Sequence, residues 1–206
     1  MVIRDNKNKG SAWIIDGTDY IFTNKHVADQ LFDEKNDLVS SYISFDDYPL
    51  ESDSQKFEIS SLHYIADRNS PDIAIFKIDI KPKDRKQILG LTITQKNTSI
   101  KKEIQIAAIG YPSHERVACQ EHRNAIKKIF NHNYEIKRIA PAKLNSNSCK
   151  TKDYFYHDCS TLGGSSGSPI INIEDGTVIG MYDEGYFGLY NCAVNNSALL
   201  EILQTL

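Results

Sequence analysis

Short runs rich in Ile, Val, Phe and Tyr recur along almost the whole chain, at residues 11–15, 20–24, 38–45, 73–80, 104–110, 136–140, 168–173 and 178–182. Gly, Asn, Asp, Ser and Pro separate them. β-Branched and aromatic side chains fit a pleated, half-buried surface, so this spacing is the rhythm of a protein made of many short strands. Asp16-Gly17 falls between two runs and Glu174-Asp175-Gly176 between two others; glycine there permits the positive φ that tight hairpins need. Helical periodicity is confined to 27–32 after Thr23-Asn24, to 123–130, and to 198–206 behind an Asn196-Ser197 cap. The pattern predicts an all-β barrel or sandwich ending in a short α-helix.

A chain of 206 residues removes roughly 70% of its unfolded surface from water, enough for a core without metal or disulfide staples. One domain, or two small halves sharing a cleft, is the expectation. Hydrophobic content of 40% and charged content of 25% exclude disorder and a coiled coil. With 24 Lys+Arg against 27 Asp+Glu the net charge is −3, which offers no general attraction to phosphates or anionic lipid, so neither nucleic acid nor membrane is expected as a partner. No run approaches the about 18 apolar residues that span a bilayer, and the charged start Met1-Val2-Ile3-Arg4-Asp5 lacks the apolar segment of a secretory signal. Cys119, Cys149, Cys159 and Cys192 form no CxxC pair. They read as reduced thiols, and the location expected is the cytoplasm. On the same view the sequons at Asn97 and Asn195 carry no glycan. The basic run at 81–86 reads as a solvated loop, and Asn69-Ser70-Pro71 and Ser146-Asn147-Ser148 as turns or surface.

Chemistry concentrates in Gly163-Gly164-Ser165-Ser166-Gly167-Ser168-Pro169. Three glycines and three serines in seven residues make a backbone able to turn tightly and aim several N–H groups at one point. Alone, the segment reads equally as a loop, a phosphate-cradling turn or a nucleophile loop; the Gly-Lys-Ser/Thr of a phosphate-binding P-loop is absent. A serine hydroxyl becomes a nucleophile only when a base takes its proton. Of six histidines, His63, His114, His122, His132 and His157 sit in polar or mixed contexts and read as surface or hydrogen-bonded core residues. His26 differs, because it follows the apolar run Tyr20-Ile21-Phe22-Thr23-Asn24 and opens a helical segment. Asp72 enters the apolar run Ile73-Ala74-Ile75-Phe76, where a carboxylate is costly without a partner. It caps that strand or orients an imidazole.

Taken together, Thr23-Asn24-Lys25-His26-Val27, Asp72-Ile73-Ala74 and Gly164-Ser165-Ser166-Gly167-Ser168-Pro169 resemble the three signature segments of chymotrypsin/trypsin-like serine proteases, above all the bacterial glutamyl-endopeptidase and HtrA-like branches. The resemblance extends over about residues 10–195. It implies two six-stranded antiparallel β-barrels with the active site between them: a single domain over 1–206, with the first barrel at about 10–85, the second at about 100–195 and a C-terminal helix at 196–206. It also implies a triad in which His26 takes the Ser166 proton and Asp72 orients the imidazole, with an oxyanion hole made by the backbone N–H groups of Gly164 and Ser166. No metal or cofactor is implied. The activity implied is that of a serine endopeptidase, regulated and intracellular in a bacterium and in some relatives a defence effector, acting on a protein or peptide and switched by an activating or sensor partner. A catalytically silent peptide-binding module, or an esterase or acyltransferase with the same triad, stands as the alternative.

Departures from the family pattern bear on activation and specificity. Ser165 stands where digestive enzymes carry the aspartate that receives a new N-terminus, so activation by N-terminal insertion is not expected. The resemblance puts the base of the S1 pocket at Ser160 and Thr161, one wall at 179–183 with Tyr182 and Asp183, and another at 190–193 with Tyr190. Ser160 replaces the aspartate that selects Lys and Arg, and Tyr182 the histidine that selects Glu. Asp158, Asp183 and Glu184 either draw a basic side chain into the pocket or are solvated loop charges. Cys159 and Cys192 read as small buried apolar residues.

Overall fold

The structure, a computed structural model, describes residues 1–95, 104–114, 119–148, 151–186 and 189–206, with the backbone alone for 145–148. Cys149 and Asn97 lie outside them. Among the described residues, thirteen strands fall into two groups. The first comprises β1 (Val2–Arg4), β2 (Lys7–Gly10), β3 (Trp13–Ile14), β4 (Tyr20–Thr23), β5 (Tyr42–Ile43), β6 (Phe57–Ile65) and β7 (Ala74–Ile78), joined as a seven-stranded antiparallel sheet in the order β2-β1-β5-β6-β7-β4-β3. The second comprises β8 (Gln105–Gly110), β9 (Arg138–Ser148), β10 (Tyr154–His157), β11 (Pro169–Asn172), β12 (Val178–Tyr186) and β13 (Tyr190–Asn195), and closes as a six-stranded antiparallel barrel. This is the all-β architecture with a C-terminal helix that the sequence leads one to expect; the second group is the expected six-stranded barrel, and the first is a sheet of seven strands rather than six.

Both expected hairpins form. Gly17 has φ +73° between β3 and β4, and Gly176 has φ +72° between β11 and β12. Helix α1 (Lys25–Ala28) runs on into a single 3-10 turn at Asp29–Leu31, while α3 (Gln120–Phe130) and α4 (Asn196–Leu203) occupy the other two expected positions. The cap of α4 is Asn195, not Asn196 or Ser197: its side chain accepts from the Ala198 N–H. Two turn assignments change as well. Ser146-Asn147-Ser148 continues β9, whose partners β8 and β10 supply the ladder that overrides the polar composition. The basic run contains the one-turn helix α2 (Pro82–Arg85), which Pro82 opens with its fixed φ. Strand β5 keeps only two residues of the run at 38–45.

The core of the first sheet buries Ile21, Leu31, Ile43, Phe76 and Ile78, and that of the barrel Ile106, Ile170, Ile179 and Ala193. Between them lies a third cluster drawn from both halves, with Trp13, Phe22 and Ile75 on one side and Val178, Met181, Val194 and Leu199 of α4 on the other. Residues 90–94 tie the halves through the backbone. Leu91 N–H donates to Ile14 O and Asp16 N–H to Leu91 O, while Thr94 N–H donates to Val178 O and Val178 N–H to Thr92 O. The cleft is therefore bounded by two bodies that share a core. Among the described residues no helix is long and apolar enough to cross a membrane.

Phe76 is fully buried in the first core. Phe76→Ala is expected to cost about 3–5 kcal/mol by transfer and cavity terms together, read by denaturant titration as a lower midpoint with an unchanged slope.

Candidate active site

Asp72 follows the turn at 67–71 and precedes β7, and its main chain is held by both halves of the molecule. Its carbonyl accepts from the Asn24 side-chain amide at 2.8 Å, and its N–H donates to the Tyr154 hydroxyl of the barrel at 3.2 Å. One carboxylate oxygen accepts the backbone N–H of His26 at 3.0 Å, and the other bonds His26 Nδ1. His26 stands at the start of α1, where β4 ends, so the strand end and the carboxylate fix its backbone and its ring together. Burial disfavours the imidazolium, but the hydrogen bond and charge of Asp72, aided by Asp183 and Asp29, outweigh that and raise the His26 pKa. Asp72 shows the complementary result: burial would raise its pKa, yet hydrogen bonds from His26 and Asp183 and the charge of His26 lower it.

Ser166 sits on a turn secured from the other sheet. Ser11 N–H donates to Ser166 O at 2.7 Å, and the Ser11 hydroxyl donates to Gly164 O at 2.9 Å while accepting the Tyr111 N–H at 3.1 Å. Gly167, at φ +86°, makes the approach possible: a Cβ there would stand 2.1 Å from Ser11 O and 2.7 Å from Thr23 Oγ1. The Gly167 N–H donates to Tyr182 O. Among the described residues, neither the Gly164 nor the Ser166 N–H is bonded to a protein acceptor. The Ser166 hydroxyl donates to the Asp183 carbonyl at 3.3 Å and makes no hydrogen bond to His26.

These residues line one cleft of about 1250 Å³, which brings together His26, Asp72, Ser166, Ser160, Thr161, Tyr182, Asp183 and Tyr190. Gly163 lines it and Gly164 does not. Thr161 bonds Asn191, whose amide donates to Cys159 O. Cys159 and Cys192 are buried, and burial pushes the Cys159 thiol up to about 12. Helix α3 packs Ile126 and Phe130 on Leu162 and forms a further wall. The acidic neighbourhood divides: Asp158 accepts the Lys143 N–H at 2.8 Å, Glu184 is exposed, and Asp183 turns toward His26 and Asp72.

Several cleft residues escape the sequence reading. Tyr154, Tyr156 and His157 come from β10, an unbroken aromatic run with no polar alternation to reveal its two faces. His157 is a buried, hydrogen-bonded residue whose Nδ1 accepts the Cys159 N–H, and burial drives its pKa to about 4. Asp183, expected as a pocket wall, also meets His26 and Asp72: its carboxyl oxygen, an Asp72 oxygen and a His26 ring nitrogen all lie within 4.8 Å of one another. Such convergence suits a cation in general, but His26 Nδ1 is already bonded to Asp72.

Residues 10–181 match the profile of the trypsin-like peptidase domain. The chain belongs to that family. Among solved structures, this trypsin-like domain superposes on Deg5 with a TM-score of 0.63 at 16% identity, covering 93% of this chain and 80% of that one. It superposes on the HtrA-type protease AlgW with a decapeptide at 0.64 and 17% identity, covering 95% and 50%, and on the serine endoprotease from Yersinia pestis at 0.62 and 18%, covering 95% and 56%. The domain spans about half the length of the latter two. No curated protein matches it.

Gly167→Ala places a side chain against the Ser11 carbonyl in a backbone conformation that L-residues rarely adopt. The trypsin-like domain carrying it is expected to unfold at lower denaturant. Ser11→Ala, which leaves Gly164 O and Tyr111 N–H without their partner, should cost about 1–3 kcal/mol. Both are read by chemical denaturation.

Proposed function

We propose that the protein is a serine endopeptidase that cleaves a protein or peptide through an acyl-enzyme, with Ser166 as nucleophile, His26 as general base and acid, and Asp72 as the group that orients the imidazole. The observation that carries this reading is the two-point grip of Asp72 on His26, through Nδ1 and through the backbone N–H. With Nδ1–H donated to Asp72, Nε2 carries the lone pair, which is the tautomer a base acting on a serine hydroxyl needs. Attack begins with rotation of the Ser166 hydroxyl from the Asp183 carbonyl to His26 Nε2. Apo hydrogen bonds of this kind are commonly absent until substrate is bound. The proton passes to His26 as Ser166 Oγ bonds to the carbonyl carbon; the oxyanion is received by the free N–H groups of Gly164 and Ser166, and His26 then protonates the leaving amine. Water repeats the sequence on the ester.

Ser160, Thr161, Tyr182, Asp183 and Tyr190 form the wall that selects the residue preceding the cut. The turn needs no inserted terminus. Ser165 is buried, and its N–H and hydroxyl both bond Leu162, so the site is ready as synthesised or is ordered by a partner. We place the enzyme in a bacterial cytoplasm, as a regulated protease or defence effector. The Ser166–Asp183 bond also favours a second reading, a silent peptide-binding module.

A fluorophosphonate probe distinguishes the two. The wild type is expected to label and Ser166→Ala is not; intact protein that resists labelling as fully as Ser166→Ala would overturn the catalytic reading. Against a cleaved peptide, Ser166→Ala should lower kcat by about 10⁶ and Asp72→Asn by about 10⁴.

A further inference from the structure

Two carboxyl groups held close together pose an electrostatic problem that the triad reading alone does not explain. An Asp183 carboxyl oxygen lies within 4.8 Å of an Asp72 oxygen, and two bare carboxylates that close repel, since each is acceptor only. A proton on one of them replaces that repulsion by attraction. Asp72 is already satisfied as an anion, because it receives the His26 backbone N–H and Nδ1. Asp183 is therefore the one left to carry it. Local geometry supplies the reason that this residue points at Asp72. In the pairing of β12 with β13, Tyr182 opposes Ala193 and Glu184 opposes Cys192, so Asp183 is the extra residue of a β-bulge. A bulge turns a side chain out of the regular alternation.

We propose that Asp183 is a positioning acid for this site: its neutral carboxyl group donates to the Asp72 carboxylate and holds it in register with His26, and loss of that proton to solvent base replaces the hydrogen bond by repulsion between two anions. The proposal rests on the triad reading and adds to it a group on the opposite barrel. Around Asp183 stand His26 on α1, Asp72 before β7, Tyr154 on β10, Cys192 on β13 and, on its own strand, Glu184; Asp29 acts on His26 from the 3-10 turn. Burial is the largest influence on Asp183, followed by its contact with Asp72 and the charges of Asp72 and Glu184, with His26 opposing; together they raise its pKa to about 8. The His26–Asp72–Asp183 group titrates as a unit. Ionisation of Asp183 above that pH adds a negative charge beside the imidazole, which favours the imidazolium and withdraws the free base. Activity therefore rises as His26 loses its proton, at a pH above the ordinary imidazole value, and falls again as Asp183 ionises.

The same proton makes a stability prediction. An acid whose folded pKa lies above its unfolded value binds more protons when folded, so stability falls as pH rises through that window. Here the window runs from the ordinary carboxylic range to about 8.

The test is Asp183→Asn, whose amide keeps a donor toward Asp72 but cannot ionise. NMR of the His26 ring in intact protein is expected to show two steps in the wild type, the imidazolium step and a second near pH 8, and only the first in Asp183→Asn. The alkaline fall in kcat/KM should vanish with it. Relative to Asp183→Asn, the wild type should lose thermal stability between pH 5 and pH 8. Asp183→Ala, which removes the donor, should lower kcat more than it changes KM. A single identical His26 titration in wild type and Asp183→Asn, or an alkaline limb unchanged by the substitution, overturns the proposal. Since ring NMR needs no turnover, two His26 steps in a protein that a fluorophosphonate does not label would uphold the acid pair and sink the protease reading instead.

Discussion

The two walls of the cleft are joined through Ser11. This buried residue precedes β3 in the first sheet, and it is bonded through its N–H to Ser166 O, through its hydroxyl to Gly164 O and Tyr111 N–H, and through its carbonyl to the Thr23 hydroxyl just ahead of His26. One residue thus links the Ser166 turn, the end of β8 and the end of β4. Each of these bonds satisfies a backbone group that would otherwise be buried unpaired. Gly167 is the counterpart, because only a residue without Cβ lets the Ser11 carbonyl come so close. The relative position of Ser166 and His26 follows from this contact before any catalytic hydrogen bond is made.

Asp72 is the second link between the halves. It is anchored by Asn24 from the first sheet and by Tyr154 from the barrel, and its carboxylate faces His26 on one side and Asp183 on the other. A charge at the edge of an apolar strand is tolerated because His26 engages both its oxygens, one through the backbone N–H and the other through Nδ1. Burial and neighbours then push apart the two carboxyl pKa values, Asp72 down and Asp183 up to about 8. Divergence of that kind divides labour between acids: one stays ionised to hold the imidazole, the other stays neutral to hold the first.

What the sequence discloses, and what it hides, follows from how local each signal is. The strands on either side of Gly17 and Gly176 were legible because turn chemistry and β-branched runs sit side by side. His26, Asp72 and Ser166 were legible because each stands where an apolar run meets a polar turn. Strand β6 was missed because Ser60 and Ser61 interrupt its alternation, β10 because all four of its residues are aromatic rings, and β13 because Asn191 and Asn195 frame it as a loop. The tie from Asp183 to Asp72 joins residues 111 positions apart in chain number and depends on a bulge, which no local pattern announces. Ser11 is likewise an ordinary serine in the sequence. Only packing makes it a junction.

This arrangement alters how the acidity of the cleft is to be understood. Asp158, Asp183 and Glu184 together would favour a basic residue before the scissile bond if all three charges faced the pocket. Asp158, however, accepts the Lys143 N–H, and Asp183 is turned to Asp72, where the proposed reading makes it a neutral acid. A neutral acid attracts no cation, and a carboxylate bound to a backbone N–H has part of its charge compensated. Electrostatic selection is left to the exposed Glu184, where solvent screens it. The lining supplies instead the rings of Tyr154, Tyr156, Tyr182 and Tyr190 with the hydroxyls of Ser160 and Thr161, surfaces that favour contact area and hydrogen bonding over charge. On the proposed reading Asp183 is then a specificity residue only indirectly: the pocket forgoes a negative charge because Asp72 takes that carboxyl as its donor.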